Sequence, residues 1–136
     1  MAAVTELIRT EQDGSLSFGN HTLPEKSKLE DYPCAGNLYK VKTFNELTKL
    51  ERDGMFVYES EPGTSVNSFR VTADGVSFKV SGDKDAMITI GLNEDTEYEV
   101  FIGEKSIGKI KTNLGGKLSV SVPLEGEGET EIKVVK

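Results

Sequence analysis

The sequence predicts an all-β, antiparallel fold. Short segments in which apolar and polar residues alternate indicate strands with one buried face. The Asp-Gly and Gly-Gly pairs between these segments accept the positive φ angles that tight turns require. In the C-terminal half, these segments follow one another with turns about every 8–12 residues, which is typical of a small β-sandwich of the immunoglobulin or fibronectin type.

The first elements are irregular. Residues 4–9 and 15–18 flank Asp13-Gly14 and are predicted to form a hairpin. Residues 23–32 are polar and contain Pro24, which cannot donate a backbone hydrogen bond to a neighbouring strand. This segment is therefore predicted to be an edge strand or a loop.

Residues 38–44 alternate regularly and are predicted to form a strand. The following residues, 43–53, fit two structures. Thr43 and Glu46 match the capping box of a short helix. Asp53-Gly54 instead favours a hairpin. The hairpin is slightly favoured, with room for one helical turn before it.

Alternation then predicts strands near residues 69–72, 76–80, 86–92, 97–102, 107–112, 117–124 and 129–135. Gly115-Gly116 precedes one of these segments, whereas a phosphate-binding loop leads into a helix. The glycine pair is therefore predicted to be a hairpin turn. Many turn-forming residues near position 64 suggest an N-terminal hairpin region, residues 1–66, and a C-terminal sandwich, residues 67–136, or one continuous domain.

The net charge of −7 disfavours contact with nucleic acid or anionic lipid. Lysine pairs at strand spacing are interpreted as solvated strand faces; they are Lys26/Lys28, Lys40/Lys42 and Lys109/Lys111. No apolar segment reaches the roughly 18 residues of a membrane helix. The single cysteine, Cys34, and an N-terminus without a signal pattern predict a cytoplasmic protein.

Few residues suggest catalysis. His21 is the only histidine, so a zinc site with Cys34 would lack ligands. His21 lies in a polar turn, where it is predicted to be solvated, and no nucleophile elbow accompanies it. Carboxylates spaced two apart flank predicted strands without a cleft; they are Glu59/Glu61, Asp83/Asp85 and Glu97/Glu99. No catalytic residue and no cofactor are therefore assigned.

A structural calcium ion is the one metal site considered. Asp83 and Asp85 lie in one predicted strand-end loop, and Asn93 and Asp95 lie in a neighbouring one. Loops of a sandwich can gather oxygen ligands of this kind. Because Asn and Asp also favour turns on their own account, a purely structural role is the alternative.

A second apolar surface is predicted on the sandwich. Tyr98, Val100 and Ile102 are assigned to the core, which directs Phe101 outward. Ile110 and Val135 are also predicted on the outer faces of their strands. Either the N-terminal half, which is favoured, or another copy of the protein is expected to cover these residues.

Over nearly its whole length the chain resembles a family of small bacterial proteins labelled endosialidases. The matching segments are residues 38–44, 53–60, 72–76, 96–100 and 111–118. This resemblance implies an activity on sialic acid polymers. The three arginines, Arg9, Arg52 and Arg70, lie in separate predicted elements, and Arg70 is the best candidate for binding such a substrate.

The leading hypothesis is a non-catalytic binding or assembly protein that acts through its β-sheet surface, by self-association or with a protein partner. The alternatives are a carbohydrate-binding module that uses Tyr and Phe platforms, and a hydrolase of sialic acid polymers.

Overall fold

The computed structural model describes residues 3–136, and these residues form strands, turns and loops without a helix. The strands build two antiparallel sheets that share one apolar core. The predicted all-β fold is thereby confirmed. No helix with the length and apolar character of a membrane span occurs in the described part of the chain.

One sheet has seven strands. In spatial order they are β1 (Ile8–Thr10), β2 (Leu16–Phe18), β7 (Ser65–Thr72), β8 (Gly75–Ser81), β13 (Glu129–Val135), β10 (Glu97–Ile102) and β11 (Lys105–Lys111).

The other sheet has six strands. In spatial order they are β12 (Lys117–Val122), β9 (Ala86–Gly91), β6 (Met55–Glu61), β5 (Leu47–Arg52), β4 (Asn37–Phe44) and β3 (Ser27–Cys34). Strands β3 to β6 follow one another as a meander, so neighbours in the chain are neighbours in this part of the sheet.

Most predicted strands are present near their predicted bounds. The polar segment at 23–32 contributes β3, an edge strand, which was one of its two predicted forms. Residues 43–53 contain β5 and no helical turn. Asp53 and Gly54 have φ angles of 52° and 80°, which a type I′ hairpin turn requires.

Strands from both sides of residue 66 occur in each sheet. β2 pairs with β7 in the seven-stranded sheet, and β6 pairs with β9 in the six-stranded sheet. The N-terminal strands therefore extend both sheets sideways and do not lie over one face of a C-terminal sandwich.

The hairpin predicted at Gly115-Gly116 is wrong. β11 pairs with β10, whereas β12 pairs with β9 in the other sheet, so this turn carries the chain between the sheets. Gly116 has a φ of 77°, and a side chain there would meet the Leu92 carbonyl oxygen at 2.4 Å. The position requires glycine because the turn is both left-handed and tightly packed.

The core contains a cluster of aromatic rings from both sheets. The ring of Tyr58, on β6, lies 5.3 Å from that of Phe18 and 5.7 Å from that of Phe78, both in edge-to-face geometry. Phe69 joins the cluster beside Phe18. These rings bury large apolar areas, which makes them a main source of sheet-to-sheet stability.

A network of buried hydroxyl groups lies next to these rings. Thr64, fully buried before β7, shares hydrogen bonds of 2.8 Å with the Tyr58 hydroxyl and with the Ser60 hydroxyl. The Thr48 hydroxyl lies 2.8 Å from that of Thr43 and donates to the Thr64 carbonyl oxygen at 2.7 Å. Burial raises the pKa of Tyr58, so this phenol stays protonated.

We expect Thr64→Val to lower the free energy of unfolding by about 2–4 kcal/mol, because the Tyr58 and Ser60 hydroxyls would stay buried and lose a partner. Urea unfolding measures this loss. The control is Thr89→Val, which removes a surface hydroxyl bonded to Ser119 and should change stability by no more than about 0.5 kcal/mol. Equal effects of the two changes would contradict the structural role of the network.

Candidate functional site

Four lysines lie on the outer face of strands β3 to β5, and a fifth lies directly before β3. Together they define a surface named here the lysine face: Lys26, Lys28, Lys40, Lys42 and Lys49. Alternation along each strand produces this arrangement. Val41 and Thr43 are buried in the core, which directs Lys40 and Lys42 to the outside. Lys49 also points outward, because its neighbours Thr48 and Leu50 are buried.

The strand register places three of these lysines in one row. Lys28 is directly opposite Lys42, and Lys42 is directly opposite Lys49. Directly opposite residues have Cβ atoms about 4.5–5.5 Å apart, and like charges at this distance are destabilising. The fold therefore holds a row of positive charges at a cost in stability.

Carboxylates neutralise only part of this surface. Lys40 lies 3.8 Å from Glu30, and Lys49 lies 3.6 Å from Glu51. Among the ion pairs of residues 3–136, none involves the other three lysines of the face. Glu59, on β6, is also directly opposite Lys49 and ends the row on that side. The five lysines outnumber these three carboxylates, so the face carries an excess of positive charge in a chain whose net charge is −7.

Lys42 lies at the centre of the lysine face. Partial burial, followed by repulsion from the four other lysines, lowers its pKa below the ordinary value. The ammonium group of Lys26 lies 6.0 Å from the centre of the Phe44 ring, at the rim of the face. An anion bound here would relieve the repulsion among the lysines, which is a favourable term for binding.

Sequence reasoning treated the lysine pairs as separate and did not include Lys49. Short turns join β3 to β4 and β4 to β5, and such turns force neighbouring strands to pair. A meander with lysines at alternate positions therefore brings all of them to one face. Lys109 and Lys111 lie apart from them, on β11 of the other sheet.

A second candidate site is a polar groove of about 650 Å³ at one end of the sandwich, named here the His21 groove. The loops after β2, β4, β6 and β8 form its walls. Its lining residues are His21, Asn45, Glu46, Glu61, Pro62, Gly63, Asp83 and Lys84. A side chain at Gly63 would meet the Phe44 carbonyl oxygen at 1.9 Å, so glycine lets two of these loops touch.

The predicted exposure of His21 is wrong, since only 11% of its side chain is accessible. Its Nδ1 lies 2.7 Å from the Ser65 hydroxyl, and its Nε2 lies 3.6 Å from an Asp83 carboxylate oxygen. Burial lowers the pKa of His21, while Asp83 acts in the opposite direction. The imidazole is therefore mostly neutral at pH 7.

Ser65, His21 and Asp83 have the residue types of a catalytic triad. Their geometry, however, is not that of a working triad. Ser65 is fully buried, so its hydroxyl cannot reach a substrate. That hydroxyl also accepts a hydrogen bond from the backbone N–H of His21, at 3.3 Å. This arrangement orients the loop after β2, which is a structural role.

The four predicted calcium ligands do not come together. Asp83 and Asp85 precede β9, whereas Asn93 and Asp95 follow it, so about 20 Å of strand separates the two pairs. Asp85 instead accepts the backbone N–H groups of Leu124 and Glu125, and Asp95 pairs with Lys111 at 3.2 Å. No group of acidic, His or Cys side chains suited to a metal occurs among the described residues.

The predicted apolar surface is only partly present. Phe101 and Val135 lie on the same outer face, because Phe101 is opposite Lys133 and Val135 is opposite Glu99. Ile110 was wrongly assigned to this surface. It is opposite Tyr98, on the inner face, and packs against the core.

The N-terminal half does not cover Phe101 and Val135. Its strands β1 and β2 lie at the edge of the sheet opposite to β10 and β11. The favoured explanation of this surface is therefore wrong, and contact with another copy of the protein stays a prediction.

Arg52 and Arg70, which the sequence places far apart, line one groove of about 290 Å³, named here the arginine groove. Arg70 forms an ion pair with Asp13, the one carboxylate among the lining residues. Arg9 lies elsewhere and pairs with Glu11 at 2.9 Å.

No family model, no curated protein and no solved structure matches this chain. The resemblance to the proteins labelled endosialidases therefore stays a prediction.

The lowered pKa of His21 predicts that acid weakens the fold. Below the ordinary pKa of 6.5, the unfolded chain binds a proton that the folded chain resists. The stability that depends on neutral His21 is therefore complete above about pH 6.5 and is lost progressively as the pH falls from that value through the lower pKa of the folded protein. Urea unfolding at several pH values measures this loss.

The matched variant is His21→Asn, which keeps a polar group near Ser65 but cannot titrate. We expect its free energy of unfolding to change less than that of the wild type between about pH 7.5 and 5.5. Parallel pH profiles for the two proteins would contradict the assignment to His21.

Proposed function

We propose that this protein is a non-catalytic binding protein that holds an acidic polysaccharide on its lysine face. The single observation that carries the proposal is the row Lys28–Lys42–Lys49, in which three positive charges lie directly opposite one another. Like charges at this spacing disfavour the folded protein, and a polymer with repeated carboxylates would neutralise several of them at once.

The composition of the face favours a polysaccharide over a nucleic acid. Phosphate recognition commonly uses the planar, bidentate guanidinium of Arg, whereas all five cations here are compact lysine ammonium groups. Single-stranded nucleic acids also stack on aromatic side chains. Phe44 is half-buried beneath Lys26, which leaves no open aromatic platform on this face.

A carboxylated polysaccharide as the ligand is consistent with the resemblance to proteins labelled endosialidases, because that resemblance implies sialic acid polymers as the substrate class. The proposal retains that substrate class and replaces hydrolysis by binding. It also retains the predicted use of the β-sheet surface, with lysines in place of Tyr and Phe platforms. The cytoplasmic location predicted from the sequence stays a prediction.

The test is binding of fluorescently labelled polysialic acid, measured by anisotropy at low salt. We expect Lys42→Gln to weaken binding by about tenfold, and Lys28→Gln, Lys42→Gln and Lys49→Gln combined to weaken it by at least about a hundredfold. Added salt should weaken binding of the wild type, since surface charges are screened.

The matched control combines Lys105→Gln, Lys109→Gln and Lys111→Gln on β11. This control has the same net charge as the triple variant of the lysine face. A larger loss of binding in the lysine-face variant would therefore show that the position of the lysines matters, and not only the total charge of the protein. Urea unfolding should show that Lys42→Gln is at least as stable as the wild type at low salt. The absence of wild-type binding at low salt, or equal losses in both triple variants, would overturn the proposal.

Hydrolysis of such polymers is a second candidate, favoured by one observation. Arg52 and Arg70 line the same groove, and guanidinium groups bind carboxylates well. Glycoside hydrolysis commonly also requires two carboxyl groups, and Asp13 is the one carboxylate lining this groove. Asp13 is already bonded to Ser15 and Arg70.

We therefore expect the protein to release no reducing sugar from polysialic acid. Release that falls with Arg70→Ala and Arg52→Ala, but not with the control Arg9→Ala, would contradict this expectation and assign catalysis to the arginine groove. A colorimetric assay for reducing ends provides the measurement.

A further inference from the structure

A groove of about 330 Å³ lies on the outer face of the six-stranded sheet, across strands β6, β9 and β12. It is named here the sheet groove. The lysine face occupies strands β3 to β5 of the same sheet, also on the outside. The residues of the sheet groove that matter below are Phe56, Glu59, Met87, Thr89, Lys117 and Ser119.

The strand register makes the sheet groove continuous with the lysine face. Glu59 is directly opposite both Lys49 and Thr89. Thr89 is in turn directly opposite Ser119. The row that begins at Lys28 on β3 therefore crosses all six strands and ends at Ser119 on β12. Because neighbouring strands are about 4.8 Å apart, the row is about 24 Å long, and a polymer lying along it would contact both surfaces.

The centre of the sheet groove presents hydrogen-bonding groups that the fold leaves free. The Thr89 hydroxyl lies 2.8 Å from the Ser119 hydroxyl, and the pair retains one O–H donor and several acceptor lone pairs for a ligand. The half-buried Glu59 carboxylate has no side-chain hydrogen bond and no ion pair within residues 3–136. Sugar hydroxyl groups can donate to this carboxylate and form hydrogen bonds with the pair.

Apolar surface lies on both sides of these polar groups. Met87, which is 48% exposed, comes two residues before Thr89 on β9. On the other side, the half-buried Phe56 ring has the Lys117 ammonium group 4.5 Å from its centre. A sugar ring combines hydroxyl groups on its edges with apolar C–H faces. A groove with a few polar groups between apolar walls therefore suits a sugar ring.

The charges of the sheet groove select an uncharged sugar. Two carboxylates, Glu59 and Glu61, line the groove together with one cation, Lys117. A carboxylated sugar placed here would be repelled by Glu59 and Glu61, whereas the lysine face attracts such a sugar. The two parts of the row therefore fit a polymer that contains both acidic and neutral sugars.

We propose that the sheet groove binds an uncharged sugar residue of the polysaccharide whose carboxylated residues lie on the lysine face. The ligand is then an acidic heteropolysaccharide in which acidic and neutral sugars alternate. This inference rests on the proposed function, because it extends that binding surface along the same row of residues. It assigns the recognition of sugar hydroxyl groups to Glu59, Thr89 and Ser119.

Fluorescence anisotropy with two labelled oligosaccharides of equal length tests the proposal. Hyaluronan alternates glucuronic acid with a neutral amino sugar, whereas polysialic acid has a carboxylate on every residue. We expect Thr89→Val combined with Ser119→Ala to weaken hyaluronan binding by about tenfold and to change polysialic acid binding by less than about twofold.

A second variant, Glu59→Gln, tests the charge of the groove. It removes a negative charge that repels carboxylated sugars and weakens the hydrogen bonds to a neutral one. We therefore expect it to lower the ratio of hyaluronan affinity to polysialic acid affinity. The lysine-face triple variant should instead weaken the binding of both polymers.

The matched control combines Thr72→Val with Ser106→Ala, which removes two exposed hydroxyl groups from the seven-stranded sheet. It should leave both affinities unchanged. The inference is overturned if the wild type does not bind hyaluronan. It is also overturned if the variant without the Thr89 and Ser119 hydroxyls binds hyaluronan as the wild type does, or loses both polymers equally. In these last two cases, weaker polysialic acid binding by the lysine-face variant would still support the proposed function, so the two failures are distinguishable.

Discussion

The buried hydroxyl of Thr64 is the contact on which the arrangement of the two sheets depends. Its hydrogen bonds to Tyr58 and Ser60 tie the start of β7, in one sheet, to β6, in the other. A buried hydroxyl without a partner is costly, so these bonds specify where the chain crosses between sheets. Glu61 to Gly63 lie within this crossing and line the His21 groove, whose shape the network therefore fixes.

The same core determines the outer surface. Val41, Thr43 and Leu50 are buried in the core. Their neighbours along each strand must therefore face outward, and several of these neighbours are lysines. An otherwise acidic protein thus acquires one positive face.

Alternation in the sequence was sufficient to predict the strands and most of their bounds, because each strand has one buried face. It also assigned Tyr98 and Val100 to the core and directed Phe101 outward. It misplaced Ile110, because β11 is an edge strand whose register shifts near Gly108. Simple alternation fails where a bulge changes the phase of a strand.

The sequence by itself determined the all-β class, the hairpin at Asp53-Gly54 and the absence of a glycine-rich phosphate loop, because these depend on local backbone preferences. Only the tertiary structure decided which strands are neighbours. That pairing separated the proposed calcium ligands along β9, buried His21 against Ser65 and aligned Lys28 with Lys42 and Lys49. Contacts between distant residues depend on the packing of both sheets together, which short-range patterns do not encode.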